Sequence, residues 1–226
     1  WLILGPCLLL GFWASSRVKS IFNEYAQVGV SSGMSGAQAA AAVARAGGAV
    51  VTIERASGFL SDHYDPRTKT LRLSPEVYDG RSVSAIAVGA HEAGHAIQDA
   101  KGYHWLGMRS ALVPAVQFGS RFWTLPLILG LFMQATALGG LLMAAGIGLL
   151  SVTVLFQLVT LPVEFDASNR AKLVLAEAGI ARTDAERHGV DRVLGAAAMT
   201  YVAGAISAVA TLAYYLSLFL GAQRDG

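Results

Sequence analysis

The chain contains a single cysteine, Cys7, and charged residues make up only 14% of its 226 residues. One cysteine excludes a framework of intramolecular disulfides and a zinc site built from several thiolates. The formal net charge of +2 is small and gives no indication of nucleic-acid binding. Because 54% of the residues are hydrophobic, the composition excludes an ordinary soluble domain and is typical of a membrane protein.

Two long runs of the sequence contain no charged residue. The first, from Phe122 to Val163, has 42 residues, which is enough for two membrane spans of about 20 residues. We expect a tight turn between these spans near Gln134 to Gly140. The second run, from Val193 to Gln223, has 31 residues and predicts one further span. It ends in aromatic residues suited to a membrane interface, namely Tyr214, Tyr215 and Phe219.

The first 14 residues form another apolar stretch, from Trp1 to Ala14. This stretch does not begin with methionine and is shorter than a bilayer requires. We expect it to be part of a first transmembrane helix that is truncated in this sequence. A cleaved signal peptide is the alternative, but the positive charges follow the apolar run, whereas a signal peptide has them in front.

The segment His91-Glu92-Ala93-Gly94-His95 is the strongest chemical signal in the sequence. Residues four apart in a helix lie on one face, so the nitrogens of His91 and His95 can converge on one tetrahedral zinc ion. Glu92 lies beside them without having to bind the ion. Zinc lowers the pKa of a bound water to about 7, and a nearby carboxylate can accept the proton as a carbonyl is attacked. The pattern therefore predicts metal-assisted hydrolysis with Glu92 as the general base.

The surroundings of this segment favour a metal helix over two buried histidines that merely bond to the backbone. The run from Val83 to Ala100 contains no proline, Ser82 and Ser84 are candidate N-caps, and Gly102 is a stop signal. Catalytic zinc needs three protein ligands and one open position. Glu164 is the candidate for the third ligand.

About 100 residues between the first and second spans can form a small α+β zinc domain. Ser35 is expected to cap a helix that continues to Arg45, and Val50 to Arg55 alternates like a strand. Thr70 to Leu73 predicts a second strand, and Ser74-Pro75 begins a short helix before the metal helix.

An extended substrate often adds itself to the edge of a strand that lies beside a metal helix. Phe59 to Tyr64 and Leu71 to Leu73 are the candidate edges. Asp62, His63 and Asp65 form a dense polar cluster, which we interpret as a solvated turn and not as a second metal site.

The N-terminal span and three further segments together resemble the YugP family of bacterial membrane zinc metallopeptidases; the segments are Ser57 to Thr68, His91 to His95, and Leu158 to Phe165. The resemblance covers nearly the whole chain. It implies a multi-pass protein of the bacterial inner membrane that binds Zn²⁺ through His91, His95 and Glu164, an HExxH site with a glutamate as third ligand.

The chain is more distantly similar to the HtpX proteases. Their pattern has a ligand glutamate just after a transmembrane hairpin and an aspartate four residues later. Glu164 fits the ligand position, but Ser168 stands at the position of that aspartate. Candidates for the hydrogen-bond partner of the metal histidines are therefore Asp166, Asp99 and Ser168.

The predicted fold class is mainly α, with multi-pass membrane helices and a small α+β zinc-metallopeptidase domain that carries the HExxH helix. The predicted segments are a truncated first transmembrane helix (1–14), a cytoplasmic zinc-peptidase region (15–121), a transmembrane hairpin (122–162), a cytoplasmic helix with the third ligand (163–192) and a last transmembrane helix (193–223).

The predicted function is that of an integral-membrane zinc endopeptidase acting on polypeptides in or near the lipid bilayer. The main alternative is a catalytically silent zinc-binding membrane scaffold or chaperone, but a structural zinc site has four protein ligands and no use for Glu92. A protease that cuts within the bilayer needs the metal helix to be a span. Arg81 and Asp99 leave only 17 positions between them, and Glu92 interrupts these.

Basic residues predict the orientation in the membrane. Eleven of the 17 lie between Arg17 and Arg121, five lie between Arg170 and Arg192, and one is Arg224. An even number of predicted crossings separates the two rich segments, so the positive-inside rule places both in the cytoplasm together with the active site.

A reporter fused after Arg192 is therefore expected to be cytoplasmic, and a reporter fused after Arg224 to be external, because one predicted span separates the two positions. Paired fluorescent-protein and alkaline phosphatase fusions measure this directly. The reverse pattern would contradict the predicted orientation.

Overall fold

The computed structural model describes residues 4–224; residues 1–3 and 225–226 lie outside it, so the first three residues of the predicted N-terminal span are not described. The described part of the chain contains eight helices and three strands. In chain order they are α1 (Leu4–Ala26), α2 (Gly36–Ala46), β1 (Thr52–Arg55), β2 (His63–Asp65), β3 (Thr70–Leu73), α3 (Pro75–Tyr78), α4 (Val83–Ala100), α5 (His104–Phe122), α6 (Thr124–Phe132), α7 (Ala137–Glu177) and α8 (Asp184–Arg224). This bears out the prediction of a mainly helical protein with a small sheet.

The chain divides into two compact units. The metal-helix unit comprises Ala14–Gly107 and Pro162–Thr200. The apolar unit comprises the residues before Ala14, Met108–Leu161 and the residues from Tyr201 onward. Helices α1, α5, α7 and α8 each contribute residues to both units.

Helix α4 is the buried centre of the metal-helix unit. It has the bounds that the sequence predicts, and the Ser82 hydroxyl accepts a hydrogen bond from the Ala85 N–H as its N-cap. The Ser84 hydroxyl instead donates to the carbonyl of Phe22. Gly102, the predicted stop, has a φ of +62°, a left-handed conformation that glycine adopts without strain.

Helix α2 packs directly on α4. Ser35 and Gln38 form a capping box at its start, so the predicted cap is confirmed. A Cβ atom on Gly89 would lie 2.5 Å from the carbonyl oxygen of Gly36, so the two helices meet at their backbones. Small residues on the facing side of α2 make this possible, and Ala39, Ala40, Val43 and Ala44 are all buried there.

The three strands form a sheet in the order β1-β3-β2. Strand β3 lies in the middle, parallel to β1 with Thr52 opposite Thr70 and antiparallel to β2 with His63 opposite Arg72. The expectation that Leu71 to Leu73 offers a free edge is therefore wrong, because β3 is paired on both sides. Strand β2, which falls partly within the other candidate segment, is an edge strand.

The turn between β2 and β3 follows the predicted Asp65-Pro66 signal. The Arg67 N–H donates to Asp65 at 3.0 Å and the Thr68 hydroxyl donates to the same carboxylate at 2.9 Å. These two bonds, with a third from Arg72, lower the pKa of Asp65 to about 2. Asp65 is thus a turn residue, as its type and position indicate.

The helices of the apolar unit differ from a simple predicted hairpin. Helices α5 and α6 are separated at Trp123, and α6 has nine residues, which is about 14 Å and too short to cross a bilayer alone. The turn before α7 lies at residues 133–136, overlapping the predicted position. Helix α7 already begins at Ala137 and continues through Pro162, so no new helix starts near Val163.

Two helices in the described part of the chain are long and apolar enough to cross a membrane. They are α7 and the part of α8 from Asp184 to Ala222. In the most apolar 18-residue stretch of each helix, only 33% (α7) and 28% (α8) of the residues are buried. The core helix of a soluble protein is mostly buried. Large exposed apolar side chains are frequent in the apolar unit, among them Leu8, Phe12, Phe118, Phe132, Leu141, Ile206 and Leu220. Such a surface is suited to lipid.

Candidate metal centre

The centre is built from one face of α4 and one face of α7 within the metal-helix unit. His91, Glu92 and His95 lie within five consecutive residues of the buried stretch of α4, and Glu164 and Ser168 lie four residues apart on α7. All five residues are buried, and Glu164 is only 2% exposed. The structure therefore brings together the two histidines, the adjacent glutamate and the glutamate that the sequence singled out 69 residues beyond His95.

Gly94 determines how closely the two helices approach. A Cβ atom on Gly94 would lie 2.4 Å from the carbonyl oxygen of Ala167, a distance that no side chain tolerates. The backbone of α7 thus fills the space where a side chain of α4 would otherwise lie. This close contact allows the Glu164 side chain to reach the histidine rings.

The three predicted ligand atoms converge. Nε2 of His91 is 3.2 Å from Oε2 of Glu164, and Nε2 of His95 is 3.5 Å from the same oxygen. All three atoms lie within 4.8 Å of one another. A tetrahedral zinc ion with bonds of about 2.0–2.1 Å separates its ligand atoms by roughly 3.3 Å. Two imidazoles and one carboxylate at these separations fit such an ion, and they leave its fourth position open.

Glu92 is the second buried carboxylate among these residues. Burial raises its pKa to about 7; the neighbouring Glu164 and Asp62 also raise it, while His91 and His63 lower it. A carboxylate with a pKa near neutrality can both accept and release a proton under physiological conditions. Glu92 thus has the property that a general base requires.

Each metal histidine has a hydrogen-bond partner at its other ring nitrogen. Nδ1 of His91 lies 3.1 Å from the Ser168 hydroxyl, and Nδ1 of His95 lies 3.0 Å from Oε1 of Gln98. Both histidines thus present Nε2 to Glu164. Partners of this kind hold the ring orientation of metal ligands.

Of the three candidate partners named from the sequence, only Ser168 contacts a metal histidine. Asp166 accepts a hydrogen bond from Gln98 and forms an ion pair with Arg170. Asp99 accepts hydrogen bonds from Tyr64 and Lys69 instead. Gln98 was not identified as a partner from the sequence. Its position three residues after His95, which places the two residues on the same helix face, was a signal that could have identified it.

The polar cluster of Asp62, His63 and Asp65, which lies at and within β2, acts on the centre, which the sequence did not indicate. Asp62 and His63 both act electrostatically on Glu92. The Asp62 carboxylate accepts hydrogen bonds from the N–H and hydroxyl of Ser74, and burial raises its pKa. Nδ1 of His63 lies 2.8 Å from the carbonyl oxygen of Ser61. His63, Tyr64 and Asp65 form strand β2 and Asp62 is partly buried, so the interpretation of this cluster as a solvated turn holds only for Asp65, whose carboxylate binds the turn after β2.

Comparison with known proteins relates the chain to a protein family and to a protein of Bacillus subtilis. Residues 1–220 match the family model described as "Putative neutral zinc metallopeptidase". The chain is similar to the "Putative membrane protease YugP" of Bacillus subtilis (strain 168), with 44% identity over 218 residues that cover 96% of this chain and 94% of the relative. No solved structure matches the chain.

Replacing Glu164 by Ala leaves two ligands and is expected to weaken zinc binding by more than about 100-fold, since loss of an outer hydrogen-bond partner alone costs 10–100-fold. Metal analysis of the detergent-purified protein measures the effect. Glu177→Ala, at an exposed position of the same helix, is the matched control and should keep its zinc. Undiminished zinc in Glu164→Ala, with normal membrane insertion, would move the third ligand elsewhere.

Proposed function

We propose that this chain is a membrane zinc endopeptidase, because it belongs to the family described as "Putative neutral zinc metallopeptidase". In this proposal His91, His95 and Glu164 hold Zn²⁺ and Glu92 is the general base. The observation that carries it is the convergence of three ligand atoms within 4.8 Å of one another, on the helix that also carries the buried carboxylate of Glu92. The similarity to the "Putative membrane protease YugP" over nearly its whole length supports the same conclusion.

In the proposed reaction the zinc ion and Glu92 have separate roles. A zinc ion in the site supplies Lewis acidity toward the scissile carbonyl and toward water. Glu92 takes a proton from the attacking water as the oxygen bonds to the carbonyl carbon, and it returns that proton to the departing amine nitrogen. The peptide bond is thereby replaced by a carboxylic acid and an amine. The pKa of Glu92 near 7 suits both halves of this exchange.

The substrate class follows from the membrane setting. Helices α7 and α8 are the candidate spans, and the relative in Bacillus subtilis is described as a "Putative membrane protease". We therefore assign the substrate to polypeptides within or beside the lipid bilayer of the bacterial inner membrane. The distribution of basic residues supports an active site on the cytoplasmic side.

The free edge of β2 is the proposed position of the substrate backbone. Strand β2 packs against α4, and the Tyr64 hydroxyl donates to Asp99 on α4 at 2.5 Å. Lys69, in the turn after β2, binds the same carboxylate. An extended peptide added to this edge would lie next to the metal helix, with His63 as its neighbour.

A silent zinc-binding scaffold or chaperone is the alternative function. It would need zinc for structure only, and structural sites use four protein ligands. The three converging ligand atoms and the buried Glu92 favour the peptidase. One measurement distinguishes the two functions. A peptidase hydrolyses polypeptides and needs Glu92 to do so, whereas a scaffold binds zinc without hydrolysing them.

Glu92→Gln is expected to lower the hydrolysis of an unfolded polypeptide by at least about 100-fold, because a general base contributes 10²–10⁴-fold. Zinc content should stay near one ion per chain, since Glu92 is not a ligand. Glu177→Gln, an isosteric change far along α7, is the control for both readouts. Full activity of the Glu92→Gln variant would exclude Glu92 as the base. If the parent and the variant both bind zinc and neither hydrolyses the polypeptide, the result would favour the scaffold.

Tyr64→Phe tests the substrate edge. Loss of the hydroxyl removes one anchor of β2 to α4, so we expect KM for an extended peptide to rise about threefold to tenfold, with zinc content unchanged. Tyr78→Phe makes the same change in α3 of the same unit and serves as the control. An unaltered KM in Tyr64→Phe would argue against substrate binding at β2.

A further inference from the structure

We propose that Gln98 is a positioning residue of the metal centre: it selects the ring nitrogen that His95 presents to the ion and ties α4 to α7 next to Glu164. The inference rests on the proposed zinc site but assigns a role that the ligand set alone does not imply. Gln98 is one of the largest fully buried side chains of the described structure, and it lies deep between the two helices that supply the ligands.

The amide of Gln98 uses all of its strong hydrogen-bonding groups except one lone pair. Its Oε1 lies 3.0 Å from Nδ1 of His95. Its Nε2 donates to the carbonyl oxygen of Val163 at 2.7 Å and to Oδ2 of Asp166 at 2.8 Å. A buried polar side chain with three good bonds is held in a single conformation.

The partners determine which way the amide faces. Val163 and Asp166 offer only acceptor oxygens, so both hydrogens of the amide nitrogen must point to α7. A flipped amide would place its oxygen against two acceptors, with repulsion at both. The oxygen therefore faces His95, and Nδ1 of His95 must carry the hydrogen. The lone pair of His95 is consequently at Nε2, the atom that lies near Glu164.

The same side chain also holds the third ligand in place. Its two acceptors on α7, Val163 and Asp166, precede and follow Glu164 in the sequence. Gln98 thus joins the second histidine of α4 to the segment of α7 that carries the glutamate. A change at this one position is expected to disturb two of the three ligands at once.

Asp166 is itself held in place. Arg170 contacts both of its oxygens, at 2.5 and 3.2 Å, and the Arg170 guanidinium lies over the ring of Tyr103 at 5.6 Å from its centroid.

The other histidine of the centre, His91, has a less restrictive partner. The Ser168 hydroxyl beside His91 can donate or accept, so it does not by itself select a tautomer.

The test uses Gln98→Met, which has nearly the same volume but lacks the amide. We expect zinc affinity, measured by competition with a chelator, to fall 10–100-fold, and the visible absorption of the cobalt-substituted protein to change. Helix content by circular dichroism controls for folding. Affinity within twofold of the parent with an unchanged cobalt spectrum would overturn the proposal.

A double-mutant cycle separates positioning from simple stability. Asp166→Ala, at a partly exposed position, is expected to weaken zinc binding about threefold to tenfold through the lost hydrogen bond to Gln98. In the Gln98→Met background the same change should have no further effect on zinc affinity. If Asp166→Ala weakens zinc binding equally in the parent and in the Gln98→Met background, Gln98 does not link His95 to α7. This comparison remains valid when Gln98→Met lowers the stability of the fold.

These readouts also separate this inference from the proposed function. If the parent protein binds no zinc, or if its zinc is insensitive to Glu164→Ala, the metal centre itself is wrong. If the parent binds zinc through Glu164 and Gln98→Met binds it equally well, only the role of Gln98 is wrong.

Discussion

The metal centre depends on one close contact, the approach of the α7 backbone to α4 at Gly94. Helices normally pack with their axes 8–10 Å apart because side chains fill the space between them. At Gly94 no side chain is present, and the carbonyl of Ala167 occupies the vacated volume. Only then can a glutamate of α7 share an ion with two histidines of α4. A methyl group at this point would separate the ligands, although it touches none of them.

Burial of so many polar groups requires that each be compensated. An unpaired buried polar group costs about 1–3 kcal/mol, and a buried charge costs more. The centre meets this requirement by pairing His91 with Ser168, and His95 with Gln98. Glu164 lies within reach of both rings. The hydrogen bonds that stabilise the buried side chains are therefore also those that orient the ligands, so stability and metal binding are expected to change together.

Glu92 lies on α4 between the two histidines in sequence, and the edge strand β2 packs against the same helix. Burial raises the pKa of Glu92 toward neutrality, and Asp62 and His63 act on it from the segment that leads into β2. Strand β2 is held to the C-terminal turn of α4 through Tyr64 and Asp99. One turn of α4 thus contacts two partners: Gln98 binds α7, and the adjacent Asp99 binds the sheet.

Local patterns in the sequence determined the local structure. The spacing of His91 and His95, the caps at Ser35 and Ser82 and the absence of proline predicted α2 and α4 closely, because these signals act within a few residues. The charge-free runs likewise predicted apolar helices. Tertiary structure alone decided that β3 is central, that β2 is a strand and that Gln98 holds His95. Each of these depends on partners far apart in the chain, whose packing no local pattern records.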